Sequence, residues 1–401
     1  MKQDVVIVAG ARTPMCEYVG TKGFGKFKDI SAIDLAAHAS RAAIERSGID
    51  PATIDHVVMG NVLQSSVDAL YGARHVGLKA GVPQATPALT VNRLCGSGIQ
   101  SVINAAQMIQ LGEATTVLAG GTENMSQAPY VLYGARTGFP LGQAPQMQDS
   151  LFASLYDPVA ESYMAQTAER IAKRLGITRA AQDEYALRSH MLGSQAVQEG
   201  RFAEEIAPVT ISVRGKEVVI DQDDHIRPDT TLEGLSQLRP AFGKDGTVTA
   251  GNASGIVDGA AAVVVTTAER AKAQGLQVLA HVRGWSYVGV DPKEMGIGPV
   301  PAIQKLMKDM GMPLDAVDRV EINEAFSAQY LGCEKELGLD RDRCNVNGGA
   351  VSLGHPLGAT GTRLLLTLGM ELRRSKKRFG VASACIGGGQ GIAMLIENPS
   401  V

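Results

Sequence analysis

Cys95 occupies a position where a thiol could act as a nucleophile. It lies in the segment VNRLCGSGIQS, directly after a short apolar run from Ala88 to Asn92. Beyond it, apolar residues return with the spacing of a half-buried helix, at Ile99, Val102, Ile103 and Ala106. The pattern predicts a strand-to-helix turn at Cys95. Unpaired N–H groups and the helix dipole favour a thiolate there, so we expect this thiol to lose its proton more easily than usual.

The glycines beside this cysteine fit a reactive site. Gly96 and Gly98 carry no Cβ, so we expect them to sharpen the turn and to leave room for a substrate beside the sulfur. A lone cysteine is also a common packing residue, and the interpretation therefore depends on the rest of the chain.

Three further polar side chains lie beside glycines or at a strand end in the second half of the chain. Asn323 lies at the end of a strand predicted at 319–322, His355 lies in NGGAVSLGHPLGATG, and Cys385 opens CIGGGQG. Each has an ordinary alternative by itself: a turn asparagine, a surface histidine or a packed thiol. Together with Cys95 they predict a nucleophile with an acid or base nearby, as covalent catalysis requires.

Strands and helices alternate along most of the chain, which predicts an α/β fold. Strands are predicted at 5–9, 56–60, 88–92, 116–119 and 260–265. Helices are predicted at 31–46, where Ser31 is the expected cap and Gly48 the expected end, at 71–81 and at 362–374. Between the strands at 116–119 and 260–265 this alternation stops, and polar and Gly/Pro-rich stretches surround helices predicted at 162–175 and 179–200. We interpret this part as an insertion.

The later half resembles a distant copy of the first. Segments 57–61, 91–92 and 116–121 resemble 319–323, 346–347 and 380–387, all at an offset of about 260 residues. We therefore predict one half formed by 1–125 and 257–278, an inserted loop domain at 126–256, and a second half at 279–401. Corresponding loops of two such halves should lie side by side.

Composition excludes several classes of protein. The formal net charge is −3, which gives no electrostatic basis for binding nucleic acid or an anionic membrane. The five cysteines form no C-x-x-C pair and the histidines show no H-E-x-x-H spacing, so we predict no metal site and a reducing, cytoplasmic location. No stretch approaches the length of a membrane span, and no G-x-G-x-x-G follows the first strand, which argues against a dinucleotide-binding dehydrogenase.

The chain resembles the thiolase family over essentially its whole length. The resemblance rests on VNRLCGSGIQS, NEAF from Asn323, GGAVSLGHPLGATG and CIGGGQG, with TAGNASG from Thr249 and GIGPVPA from Gly296 in further agreement. It implies a thiolase-like duplicated five-layered αβαβα fold with an inserted loop domain. It also implies a CoA-dependent acyltransferase that uses CoA and acetyl-CoA as substrates and holds no cofactor permanently.

The resemblance also implies a role for each polar residue. Cys95 would carry the acyl group as a covalent intermediate, His355 would take the thiol proton, and Cys385 would move a proton at the α-carbon of acetyl-CoA. One oxyanion hole would comprise the backbone N–H groups of Cys95 and Gly387. The other would comprise His355 and a water held by Asn323.

The insertion would supply most of the CoA site. Ser254 would meet the pantetheine arm, Arg227 would flank the adenine, and six residues would line the channel: Leu155, Leu238, Phe242, Ala250, Met295 and Phe326. One departure from the family pattern is Tyr163, where short-chain biosynthetic thiolases usually have a histidine followed by Met-Gly. The departure leaves open which acyl chain is preferred.

Two alternatives remain beside a thiolase. A ketoacyl synthase-type condensing enzyme would normally replace Cys385 by a second histidine or an asparagine, and a catalytically silent CoA- or lipid-binding protein of the same fold would be expected to have lost one of the four polar residues. The resemblance further implies a homo-oligomer, dimer or tetramer, because the Gly/Pro-rich stretch 133–145 resembles the loop that joins dimers into tetramers.

Overall fold

The computed structural model describes residues 3–243 and 245–401. Its strands are β1 Val5–Arg12, β2 Cys16–Glu17, β3 His56–Gly60, β4 Ala88–Val91, β5 Thr116–Glu123, β6 Tyr130–Leu132, β7 Met147–Asp149, β8 Tyr156–Asp157, β9 Ser162–Tyr163, β10 Val209–Val213, β11 Lys216–Ile220, β12 Val257–Thr267, β13 Ala280–Gly289, β14 Arg319–Ile322, β15 Phe379–Ile386 and β16 Gln390–Glu397. Its helices are α1 Ala32–Ser47, α2 Gly72–Lys79, α3 Ser97–Leu111, α4 Ser150–Ser154, α5 Met164–Leu175, α6 Arg179–Gln198, α7 Leu232–Ser236, α8 Ala268–Ala273, α9 Pro299–Met310, α10 Ser327–Leu337, α11 Ala350–Leu353 and α12 Leu357–Ser375.

The main sheet contains the same arrangement of strands twice. Its order is β14-β15-β16-β13-β1-β12-β5-β3-β4, with β2 beside β12. In the first half β3 runs parallel to β5, which is antiparallel to β12, and in the second half β14 runs parallel to β15, which is antiparallel to β16. The halves join where Val5, Val6 and Ile7 of β1 pair with β13. The predicted duplication is therefore confirmed.

Helices form three layers around the two half-sheets. α1 and α2 cover one face of the first half, and α9 and α10 cover the outer face of the second half. α3 and α12 lie between the halves, where Ile99 and Val102 share one buried cluster with Leu365, Val117 and Met394. This arrangement is the predicted αβαβα layering, and it places the N-termini of the two central helices together.

The helix and strand boundaries show where local signals were sufficient. Ser31 caps α1 by accepting the N–H of Asp34, and Gly48 ends the helix in the left-handed conformation, both as predicted. The helix predicted to start at 362 starts instead at Leu357. The strand predicted at 260–265 extends over the whole of β12, every residue of which is buried.

The described residues of the segment 126–256, namely 126–243 and 245–256, add no strand to the main sheet. Its strands pair only with each other, β6 with β7, β8 with β9, and β10 with β11. It is tied to the first half by Arg12, whose buried guanidinium contacts Glu205 at 2.9 Å and Asp223 at 2.7 Å. The domain limits given above remain a prediction. No helix within 3–243 or 245–401 has the length and apolar character needed to cross a bilayer.

Candidate active site

Cys95 lies in a 3₁₀ turn, Leu94–Gly96, between β4 and α3. The turn is stabilised by the hydroxyl of Ser97, which donates to the carbonyl of Leu94 and accepts the N–H of Arg93. Cys95 is half-buried, whereas Cys16, Cys333, Cys344 and Cys385 are buried. The predicted strand-to-helix position is confirmed.

The pKa of Cys95 contradicts the expectation of an easily ionised thiol. Burial raises it to about 11, and the N–H groups of Gly387 and of Cys95 itself offset only part of that rise. The resting site therefore holds a thiol rather than a thiolate. Activation requires a base that accepts the proton as the sulfur attacks.

The glycines beside Cys95 serve packing rather than substrate access. A Cβ on Gly96 would lie 2.6 Å from Cδ1 of Ile386, and one on Gly98 would lie 2.3 Å from the backbone N of Thr362. Gly361 on α12 is the counterpart, since its Cβ would lie 2.3 Å from the backbone N of Ile99. α3 and α12 thus cross with their backbones in contact directly behind the cysteine and the histidine.

His355 is buried just ahead of α12, and its contacts determine which ring nitrogen carries the proton. Nδ1 lies 2.6 Å from Oγ1 of Thr360, and that hydroxyl donates its own proton to the carbonyl of Pro356 at 3.0 Å. Thr360 therefore accepts, Nδ1 is protonated, and Nε2 keeps its lone pair. Burial, with a smaller effect of Arg363, lowers the pKa of His355 to about 3, so the imidazole is neutral. Nε2 therefore carries a lone pair that can accept a proton, and in this structure it accepts the Nδ2 group of Asn323 at 3.3 Å.

Asn323 follows β14 and is fully buried beside that base. Its Nδ2 lies 3.3 Å from Nε2 of His355, and its backbone N–H donates to Ser383 at 2.9 Å. Among the described residues its Oδ1 has no hydrogen-bond partner. A buried amide oxygen without a partner is a fitting acceptor for an ordered water.

Cys385 lies near the end of β15 in apolar surroundings. It packs with Met295 and Ala325, and Met164 and Phe326 lie against the same cluster. Burial is the largest cause that raises the pKa of Cys385 well above its usual value, and the neighbouring Cys95 adds to it. The thiol is therefore protonated at rest, as a proton donor must be.

An apolar cavity of about 220 Å³ lies beside His355. His355 and Leu357 form one side of it, and Leu357 also packs against Cys95. The remaining lining residues come largely from the segment 126–256 and the start of α10: Met125, Phe152, Leu155, Tyr163, Met164, Ala165, Phe242, Ala253, Ser254, Gly255, Ile256 and Phe326. Cys95 and Cys385 do not line the cavity themselves, but Cys95 packs against its lining residue Leu357, and Cys385 packs against Met164 and Phe326.

The residues predicted for CoA divide into two groups. Leu155, Tyr163, Phe242, Ser254 and Phe326 line the cavity, and the ring of Tyr163 lies 5.6 Å from that of Phe242. The other four do not line it: Arg227 pairs with Glu17 and covers the ring of Phe24, Met295 is buried beside Cys385, and Leu238 and Ala250 are exposed.

Sequence reasoning missed Thr360, Met125 and Met164. Thr360 lies one turn into α12, where a hydroxyl is usually explained as a helix residue that bonds its own backbone. The two methionines look like ordinary core residues, because what distinguishes them is contact with distant segments. In the described ranges, no cluster of three or more His, Cys, Asp and Glu side chains is arranged to hold a metal ion.

The lowered pKa of His355 predicts a loss of stability in acid. The pKa falls from 6.5 to about 3 on folding, so below pH 6.5 the unfolded chain binds a proton at this residue that the folded protein does not bind. The free energy of unfolding therefore declines as the pH falls from 6.5 toward 3. We expect the Tm of the wild-type protein to fall more steeply below pH 6.5 than that of His355→Asn, measured by circular dichroism. Parallel Tm curves for the two proteins would contradict the neutral, buried imidazole.

Comparisons with known proteins agree with this geometry. The family model for the thiolase N-terminal domain matches residues 5–269, and the model for the thiolase C-terminal domain matches residues 276–398. The chain is 49% identical over 396 residues to the human mitochondrial 3-ketoacyl-CoA thiolase, covering 99% of this chain and 98% of that one. It is 46% identical over 395 residues to an acetyl-CoA acetyltransferase of Cupriavidus necator, covering 98% and 99%.

A solved structure repeats the whole fold. The crystal structure of human mitochondrial 3-ketoacyl-CoA thiolase in complex with CoA superimposes with a TM-score of 0.94 at 49% identity, covering 99% of this chain and 98% of that one. Family models over both halves, relatives along nearly the full length and the shared fold lead to one assignment: the chain belongs to the thiolase family, an acyltransferase class of enzyme.

Proposed function

We propose that the protein catalyses reversible, CoA-dependent thiolytic cleavage of a 3-ketoacyl-CoA and, in reverse, the Claisen condensation of acetyl-CoA. The observation that carries the proposal is the neutral His355 in the wall of a cavity whose other lining residues pack against Cys95 and Cys385. Relatives named 3-ketoacyl-CoA thiolase and acetyl-CoA acetyltransferase support both directions.

In cleavage, the sulfur of Cys95 attacks the keto carbon while its proton passes to Nε2 of His355. The bond between the keto carbon and the α-carbon then breaks, the acyl group stays on Cys95, and Cys385 donates a proton to the α-carbon to release acetyl-CoA. The thiol of a second CoA attacks the acyl-Cys95 thioester. The proton of the CoA thiol passes to the Cys385 thiolate, and His355 returns its proton to the departing sulfur of Cys95. The products are the shortened acyl-CoA and the free Cys95 thiol.

Two sets of donors stabilise the negative charges of these steps. The N–H groups of Gly387 and Cys95, which face the sulfur, serve the tetrahedral adduct on Cys95. Nδ2 of Asn323 lies against His355, and its unpartnered Oδ1 is suited to hold the water that serves the enolate. Loss of one such donor typically raises a barrier by about 2.7–4 kcal/mol.

CoA enters along the apolar wall that the insertion contributes. Ser254 provides a hydroxyl among apolar lining residues, which suits the amides and methylenes of a pantetheine arm. Arg227 is held by Glu17 with its guanidinium over Phe24, a platform suited to an adenine ring. CoA is proposed as a substrate, with no cofactor bound permanently.

The test of the function is CoA-dependent loss of the enolate absorbance of acetoacetyl-CoA and of a longer 3-ketoacyl-CoA. Turnover of either substrate supports a thiolase, and the ratio of the two kcat/KM values gives the acyl preference, including the effect of Tyr163 beside Phe242. No turnover of either by folded protein would contradict the proposal and favour a CoA-binding protein without activity. A ketoacyl synthase is not favoured, because Cys385 is retained.

We further propose a homo-oligomer. β4 is an edge strand of the main sheet with Leu89 exposed, and the segment around β6 and β7 exposes Tyr133, Leu141 and Met147. Exposed apolar side chains on an edge and on a loop are typical of interfaces. Light scattering should give a multiple of 42.1 kDa, and Leu141→Ser with Tyr133→Ser should lower it if the loop joins copies. A monomeric wild-type protein would contradict the proposal.

We also propose a cytoplasmic location, which rests on the state of the cysteines. All five cysteines are free thiols, as a reducing compartment favours. Fractionation with an antibody to the protein tests it, and recovery in an oxidising compartment would contradict it.

A further inference from the structure

Glu123 is a fully buried carboxylate at the carboxyl end of β5 that the proposed chemistry does not use. Its Oε1 accepts the N–H of Leu63 at 2.9 Å and Nδ2 of Asn61 at 3.1 Å. Its Oε2 accepts the N–H of Gly358 at 3.0 Å and the N–H of Val62 at 3.2 Å. Four donors therefore converge on one side chain.

These donors come from both sides of the active site. Asn61, Val62 and Leu63 form the loop after β3, and Leu63 belongs to the apolar cluster that packs against Cys95. Gly358 lies in the first turn of α12, whose preceding loop carries His355. Through these hydrogen bonds the carboxylate links the loop after β3, which packs near Cys95, to the start of α12, which follows His355.

The backbone around Glu123 leaves little room for movement. A Cβ on Gly121 would lie 1.9 Å from the carbonyl oxygen of Gly358, and a Cβ on Gly358 would lie 2.5 Å from the carbonyl oxygen of Thr122. The start of α12 is therefore in backbone contact with the end of β5. Glu123 supplies hydrogen bonds at that contact, where the N–H groups of a helix start would otherwise have no acceptor.

The four contacts require an acceptor at each carboxylate oxygen. Burial raises the pKa of Glu123 to about 8, with Asp258 adding a smaller rise, and the N–H groups of Leu63, Gly358 and Val62 favour the ionised form. The contacts decide for the carboxylate, because a proton on either oxygen would face N–H donors. A glutamine of the same shape keeps one acceptor oxygen and turns an NH₂ group toward two N–H donors. Because donors would then face donors, the NH₂ group and the two N–H groups must move apart.

We propose that Glu123 is a positioning residue, which holds the Cys95 turn and the His355 loop at the separation that acyl transfer requires. The inference rests on the proposed thiolase function. Misplacement of reacting groups by about 1 Å costs on the order of 100-fold in rate, so a residue that sets this separation should affect kcat far more than KM.

The test compares Glu123→Gln with the wild-type protein in two assays. We expect kcat to fall about 10- to 100-fold with KM unchanged. We also expect slower alkylation of Cys95 by iodoacetamide, followed by peptide mass spectrometry, because His355 Nε2 no longer meets the thiol correctly. Alkylation needs no thiolase turnover, so an inactive wild-type protein would contradict the proposed function while this second readout still tests Glu123.

Asp55→Asn is the matched control. The carboxylate of Asp55 accepts the N–H groups of Thr115 and Thr116 at 2.6 and 3.0 Å, at the opposite end of β5 from Glu123. We expect this variant to lower the Tm while kcat and the alkylation rate of Cys95 stay at wild-type values. Equal effects of the two variants on kcat, or unchanged kcat and alkylation in Glu123→Gln, would overturn the inference.

Asn61→Ala is the second variant for this test, used if Glu123→Gln does not fold. It removes one donor to Glu123 and leaves the carboxylate and its other three contacts in place. We expect a smaller fall in kcat and in the alkylation rate than the loss of the whole acceptor would give, again at unchanged KM. Wild-type values of both rates would overturn the inference.

Discussion

Cys95→Ala is expected to abolish turnover of any 3-ketoacyl-CoA, with a loss of about 10⁴- to 10⁶-fold in kcat, because no other group can carry the acyl chain. The half-buried Cys95 is the one cysteine among the five that is not fully buried. The measurement is the loss of enolate absorbance described above. The folded state of the variant is checked by its Tm.

Cys344→Ala provides the control for that substitution. Burial raises the pKa of Cys344 to about 11, the same value as for Cys95, but its sulfur donates to the carbonyl of Asp340 away from the cavity. We expect this variant to keep wild-type kcat and to lose only stability. Turnover in Cys95→Ala within tenfold of wild type would contradict a covalent role for the sulfur.

Cys385→Ala is expected to lower kcat by about 10²- to 10⁴-fold, the usual effect of losing a general acid or base. The reason is that the proposed mechanism assigns protonation of the α-carbon to Cys385, which is buried against Met295 and Ala325. Transfer of the acetyl group from acetyl-CoA to Cys95 needs no proton at that carbon. Intact-protein mass spectrometry should therefore still detect acetylated Cys95 in this variant.

Cys385→Ser separates proton transfer from packing. The hydroxyl preserves the shape of the site but is far less acidic than a thiol, so kcat should fall although the Tm stays near that of the wild type. Wild-type kcat in this variant, or loss of Cys95 acetylation in Cys385→Ala, would contradict the assignment of separate acyl-transfer and proton-transfer steps to the two thiols.

The local signals of the chain predicted the turn at Cys95, the caps of α1 and the repeated strands. β13 was not predicted, although it joins the two halves by pairing with β1. Only Ala280, Val282 and Ser286 of its ten residues are buried, and polar residues such as His281 and Arg283 interrupt its apolar residues. A strand of this kind is recognised by its partners rather than by its own sequence.

The electrostatics of the site were the least predictable part. A helix start favours a thiolate, but the apolar cluster around Cys95 comes from Leu63, Met125, Leu151 and Leu357, which are far apart in the chain. Their combined burial outweighs the N–H groups and raises the pKa of the thiol. The protonation of His355 at Nδ1 likewise depends on which acceptor the Thr360 hydroxyl donates to, and the spacing of residues in the sequence does not reveal that contact.

The crossing of α3 and α12 at Gly98 and Gly361 restricts how this enzyme can diversify. Where two backbones touch, no side chain is available that natural variation could enlarge or shorten to alter the distance between the helices. Cys95 and His355 are therefore held as one fixed unit, although they come from different halves of the duplicated fold. Changes in substrate choice are left to the loops and aromatic residues of the insertion, which can vary without disturbing the reacting atoms.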